Sequence, residues 1–114
     1  MITITDIDRQ QLLKNGQQAK AEKNFDPKPV LKLFAPWCGM TWLISEMSPD
    51  DNNVLFGLAD LNNGEPEVGV VLLSDLSSME GPGGLTVEAD RFFTPKATLN
   101  QYASEASLAG KIIL

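Results

Sequence analysis

The chain has 114 residues, 43% of them hydrophobic and 21% charged, with a formal net charge of −6; this length and balance fit one domain (1–114) folded around its own core. It holds no histidine and one cysteine, which excludes Ser-His and Cys-His catalysis, histidine-ligated metals, an internal disulfide and a cysteine-cluster zinc site. No stretch approaches the ~18 consecutive apolar residues of a membrane span, and the opening MITITDIDRQQ lacks the basic start and apolar run of a secretory signal. Together with the unpaired Cys38, these features predict a cytoplasmic protein.

Thr5 and Asp8 have the spacing of a capping box with Asp in place of Glu, and so open a first helix. Ile7, Leu12 and Leu13 give it a short apolar face, and Asn15-Gly16 is its expected stop. The polar residues 17–23 add at most a ragged turn, and DPKP after Phe25 reads as an extended connector. Four strands follow, at 30–34, 41–47, 54–61 and 67–74, separated by turn-rich loops such as SPDDNN and NNGEP. Such short loops favour antiparallel hairpins, hence a meander. The fourth strand, EVGVVLLS, is apolar at both parities, which predicts a central strand covered on both faces.

SDLSSME then reads as a short helix, GPGG at 81–84 as a loop, and 85–93 as a fifth strand. Thr98 with Gln101 forms a capping box for a last helix, whose Leu99, Tyr102, Ala103, Ala106 and Ala109 share one face and which Gly110 ends. The final IIL is either an edge strand or an apolar cap on the core. The expected class is α+β: an antiparallel meander of four to five strands packed with an N-terminal and a C-terminal helix.

Charge is distributed unevenly. Residues 1–32 carry six basic and four acidic side chains; residues 33–90 carry ten carboxylates and no Lys or Arg; residues 91–114 carry three basic side chains and one acidic. An acidic middle disfavours direct nucleic-acid binding, which needs clustered Lys and Arg. It suits either a solvated surface or a face that attracts a basic partner or a divalent cation.

A simple register across NNGEP sets Asp60 opposite Glu67, an unfavourable like-charge pair unless a cation, a shared proton or a partner's Lys or Arg lies between them. With Glu46 nearby, the three carboxylates would suit Mg²⁺, Ca²⁺ or Mn²⁺. DDNN lacks the spacing of a calcium loop, and GPGG lacks the Lys-Ser/Thr of a phosphate loop. Cys38 has no histidine to act as its base and no Lys or Arg within five residues, so it reads as structural or incidental. Trp37 and Trp42 flank the same loop, where each could cap the core or anchor a partner.

The segments VLKLF, TWL-x-x-E at Thr41 to Glu46, FGLADL at Phe56 to Leu61, PE-x-G at Pro66 to Gly69 and LSDL at Leu73 to Leu76 form a set. With G-x-x-GL from Gly81, RFF at Arg91 to Phe93 and YA-x-EA at Tyr102 to Ala106, the chain resembles an uncharacterised bacterial family, number 2958 among the domains of unknown function. Ala59 stands where members usually carry a cysteine, so no thiol role belongs there. The resemblance implies a small cytoplasmic protein of plasmids, integrative elements or phages, often encoded beside conjugation or anti-restriction genes. It transfers no catalytic residue.

The expected function is therefore that of a non-enzymatic interaction protein, without cofactor, that presents Trp37, Trp42, Glu46, Asp60, Glu65 and Glu67 to a basic, nucleic-acid-binding protein. An anti-restriction or anti-CRISPR inhibitor is the class in view. The alternative is a carboxylate-metal enzyme or metal-binding domain using Glu46, Asp60 and Glu67, and a third is a structural subunit that oligomerises.

Overall fold

A computed structural model describes all 114 residues. Helix α1 (Asp6–Ala21) is followed by strands β1 (Leu31–Phe34), β2 (Thr41–Met47), β3 (Val54–Asp60) and β4 (Glu67–Leu72), the short helix α2 (Leu73–Ser78), the two-residue strand β5 (Glu88–Ala89) and helix α3 (Leu99–Ala109). All strand pairs are antiparallel, in the order β4-β3-β2-β1-β5. The meander is as expected, and the late strand joins outside β1.

The sheet is covered on both faces, by different helices. Leu12 of α1 packs with Leu31, Leu33, Trp42, Ile44, Met47 and Leu55 on one face. Leu99, Tyr102 and Ala106 of α3 pack with Leu43 and Leu58 on the other. A β-bulge at Ser45 keeps both faces apolar, because the register shifts between Ile44 and Glu46. The extra residue reverses the alternation, so Met47 rejoins Trp42 and Ile44 while Glu46 turns to the α3 face beside Phe56.

Helix α1 does not stop at Asn15-Gly16. The Asn15 amide donates to the carbonyl of Ser45 at 2.9 Å, and a β-carbon on Gly16 would overlap the carbonyl oxygen of Met47. The Asn-Gly pair is thus a point of close approach between helix and bulge, and the helix runs on to Ala21. Thr5 accepts from the Asp8 N–H at 3.1 Å as the sequence leads one to expect, and the Thr98–Gln101 capping box forms in full.

Two other expectations give way. The fifth strand shrinks to Glu88–Ala89, because the Asp90 side chain accepts from the Phe92 N–H at 2.9 Å and turns the chain away. Strand β4 is an edge strand rather than a central one: Val68, Val70 and Leu72 are 39%, 66% and 37% exposed. Both parities are apolar, yet only the α1-face side chains, such as Val71, meet a core. The closing IIL forms no strand and serves as a cap, with Ile112 packed against the α3-side cluster.

Candidate functional site

The loop Leu61–Pro66 sets the geometry of the acidic end. Asn62 and Gly64 both adopt left-handed backbone, φ 59° and 81°, and the last β3–β4 pair is Ala59 with Glu67, so the connection takes in Asp60 as well. In the resulting register Glu67 faces Ala59, and Asp60 faces Thr41 on the other side of β3. The expected Asp60–Glu67 pair is therefore off by one position, and the two carboxylates lie on opposite faces of the sheet.

Asp60 is 5% exposed and fully used by its own chain. Its Oδ1 accepts from the Asn62 N–H at 2.9 Å and its Oδ2 from the Ile112 N–H at 3.0 Å. It pins the C-terminal cap to the turn and is not available to a partner. Trp42, 2% exposed, belongs to the α1-side core and cannot anchor one either. Trp37 is half-buried in the β1–β2 loop, its ring lying directly on Gly81, where any β-carbon would overlap it. That loop meets the β3–β4 turn, since a β-carbon on Gly39 would touch the Asn62 amide at 3.0 Å. Trp37 and the exposed Glu65 and Glu67 thus share one end of the sheet.

Glu46 lies at the other end. It stands in a row with Phe56 and Val70 on the α3 face. A cavity of about 270 Å³ opens at this end of the sheet, lined by Glu46, Phe56 and Val70 together with Met47 of β2 and Ala19 and Lys20 near the end of α1. It is at the small end of ligand pockets and suits one side chain better than a cofactor. Burial pushes the Glu46 carboxyl above its ordinary value of 4.5, against a weaker opposing effect from Ser45. The Ser45 hydroxyl lies 3.4 Å from Glu46 Oε2 and 3.3 Å from the Phe56 carbonyl, so one proton serves both. Lys20 gives Glu46 no ion pair, being engaged with Asp50.

A raised carboxyl pKa in the folded state has a definite sign. Its stabilising contribution is complete below 4.5 and is lost as pH rises through the folded value, because the folded protein then holds the proton more tightly than the unfolded chain. Glu46→Gln is expected to raise the unfolding midpoint at pH 7 and to leave it little changed near pH 4. Equal shifts at both pH values in urea titrations would show that burial of the charge is not the cause.

Glu46, Asp60 and Glu67 are consequently spread over both faces and both ends of the sheet. No group of three or more Cys, Asp or Glu side chains converges to hold a metal ion. Only three ion pairs form: Lys20 with Asp50, Lys32 with Asp90 at 3.2 Å, and the N-terminal amine with Glu88 at 3.3 Å. Six carboxylates of the acidic middle, Glu46, Asp51, Glu65, Glu67, Asp75 and Glu80, are neither ion-paired nor fully buried.

The segments that carry the resemblance are the ones that build this frame: the bulged β2, the β3–β4 hairpin and its turn, and the face of α3. A family model described as "Protein of unknown function (DUF2958)" matches residues 3–113. The chain belongs to this family. No curated protein and no solved structure matches it. The DUF2958 pattern thus spans all three helices and every strand.

The apolar residues of the β4 edge, Val68, Val70 and Leu72, are absent from the sequence-predicted site. Their spacing at every second position is readable in the sequence, but which face and which side of the sheet they occupy depends on strand order.

Proposed function

We propose that this DUF2958 protein is a non-enzymatic interaction module that binds a basic, nucleic-acid-binding protein. The observation that carries this reading is the unneutralised acidic surface: in a stretch with no Lys or Arg, six carboxylates lack ion pairs, and Glu65 and Glu67 among them lie at the start of the exposed apolar strand β4. Long-range attraction from such a surface speeds encounter with a cationic partner, while the apolar stripe and the flank of Trp37 supply contact area once the partner arrives. Glu46, Glu65 and Glu67 contribute charge; Trp42 and Asp60 contribute only scaffold. The same field repels nucleic acid itself.

In this reading it is a small cytoplasmic protein of a mobile element that acts as an anti-restriction or anti-CRISPR inhibitor by occupying a host defence effector. Titration of the purified protein into DNA-cleavage assays of restriction and CRISPR nucleases tests this. Saturable inhibition of a nuclease, strong at low salt and weakened by added NaCl, is the expected result. Full cleavage by every nuclease at saturating protein and low salt would contradict it.

A further inference from the structure

The outer edge of β4 is unpaired, and its chemistry can be read group by group. In the β3–β4 ladder the Leu73 N–H donates to the Asn53 carbonyl at 2.9 Å. Antiparallel ladders alternate bonded and non-bonded pairs, so Leu55–Val71, Gly57–Gly69 and Ala59–Glu67 are the bonded ones. The N–H and C=O groups of Val68 and Val70 therefore point away from the sheet, and no other group of the chain bonds to them. Edge strands are ordinarily guarded by Lys, Pro, a bulge or a covering loop. β4 contains no Lys or Pro, and its ladder runs without a register shift.

The two faces of this edge differ. Val68, Val70 and Leu72 form an apolar row on the α3 face. The α1 face presents Glu67 and then Gly69, above which a β-carbon would find nothing within 4 Å. The unpaired Glu65 lies before the strand; Asp75 follows it in α2, and Asp51 lies in the β2–β3 turn, which is tied to α2 by the Asn53–Ser74 hydrogen bonds.

We infer that β4 accepts an extended segment of a basic protein as a sixth strand, with apolar side chains over Val68, Val70 and Leu72 and Lys or Arg side chains beside Glu67 and Gly69. This deepens, and rests on, the basic-partner reading above. The alternation of an added strand separates the two kinds of side chain onto the two faces, and an opposite-charge pair across from Glu67 is favourable. Charge complementarity also selects the occupant. A second copy pairing edge to edge would bring Glu65, Glu67 and Asp75 against a segment with no positive charge at all.

The test uses the full chain and a short capped peptide alternating valine and arginine, with a valine–glutamate peptide as comparison. Amide exchange at Val68 and Val70 should slow when the valine–arginine peptide binds. Val70→Pro removes one outward N–H at an edge position that tolerates proline, and Glu67→Gln removes one facing charge; each should weaken binding about tenfold. Glu88→Gln, at the opposite edge of the sheet, should leave it unchanged. Binding with no slowing at Val68 and Val70 overturns strand addition and leaves the basic-partner reading standing. Absence of binding at low salt, or equal binding of the valine–glutamate peptide, overturns both. Because the exchange measurement uses the unaltered protein, a misfolded Val70→Pro does not decide the matter.

Discussion

Gly57→Ala is expected to destabilise the protein by about 2–3 kcal/mol, the scale of an overpacked core. A β-carbon there would overlap the Leu43 carbonyl oxygen and lie 2.9 Å from Ile44 Cα. Both obstacles are backbone, so relief requires β2 and β3 to part beside the bulge. Gly16→Ala belongs to the same class. Its β-carbon would overlap the Met47 carbonyl oxygen and lie 3.3 Å from Pro49 Cδ, and this outweighs the ~1 kcal/mol that alanine gains over glycine within a helix. Gly69→Ala is the comparison, since its β-carbon meets open space; it should stay within ~0.5 kcal/mol of the parent. Urea midpoints with constant slope measure all three. Equal stability of the three variants would show that α1 does not seat on the bulge as described.

Asp60→Ala should cost about 2–4 kcal/mol, because it strips a carboxylate acceptor from two backbone N–H groups in a buried position. The loss has a location as well as a size. The Ile112 amide should lose its protection from exchange, and the turn that holds Asn62 at φ 59° should loosen with it. An Asp60→Ala protein as stable as its parent, with Ile112 still protected, would contradict the assignment of Asp60 to the scaffold.

The fold was legible wherever a local rule decides. The two threonine caps, the meander and the αL glycine that ends α3 at Gly110 are all set by residues within a few positions of one another. Asn15-Gly16 misleads because a tertiary contact with Ser45 and Met47 overrides its usual role as a helix stop. β4 misleads because apolar residues at both parities describe a strand covered on both faces and an edge strand with an exposed stripe equally well; only strand order separates the two.

The candidate site follows the same division. That residues 33–90 hold no positive charge is plain from the sequence, and the structure leaves most of that charge unpaired. Which carboxylates meet was not legible, because one left-handed turn and one bulge each shift a parity. Asp60 and Glu67 went to opposite faces by the first, and Glu46 went to the α3 face by the second. Trp37 and Trp42, five residues apart, divide into a loop residue and a core residue for the same kind of reason: one precedes the strand and the other is fixed by its pleat.

In the proposed function, charge on the β4 side recruits the partner. The most direct measurement is the association rate of the protein with an inhibited nuclease, compared with the double variant Glu65→Lys and Glu67→Lys, at about 50 mM and about 500 mM NaCl. Both positions are exposed and unpaired, so the double variant keeps the fold. Association should be at least ~10-fold slower for the variant at low salt, with convergence of the two proteins at high salt. Equal rates for the two proteins, unmoved by salt, would contradict recruitment by charge.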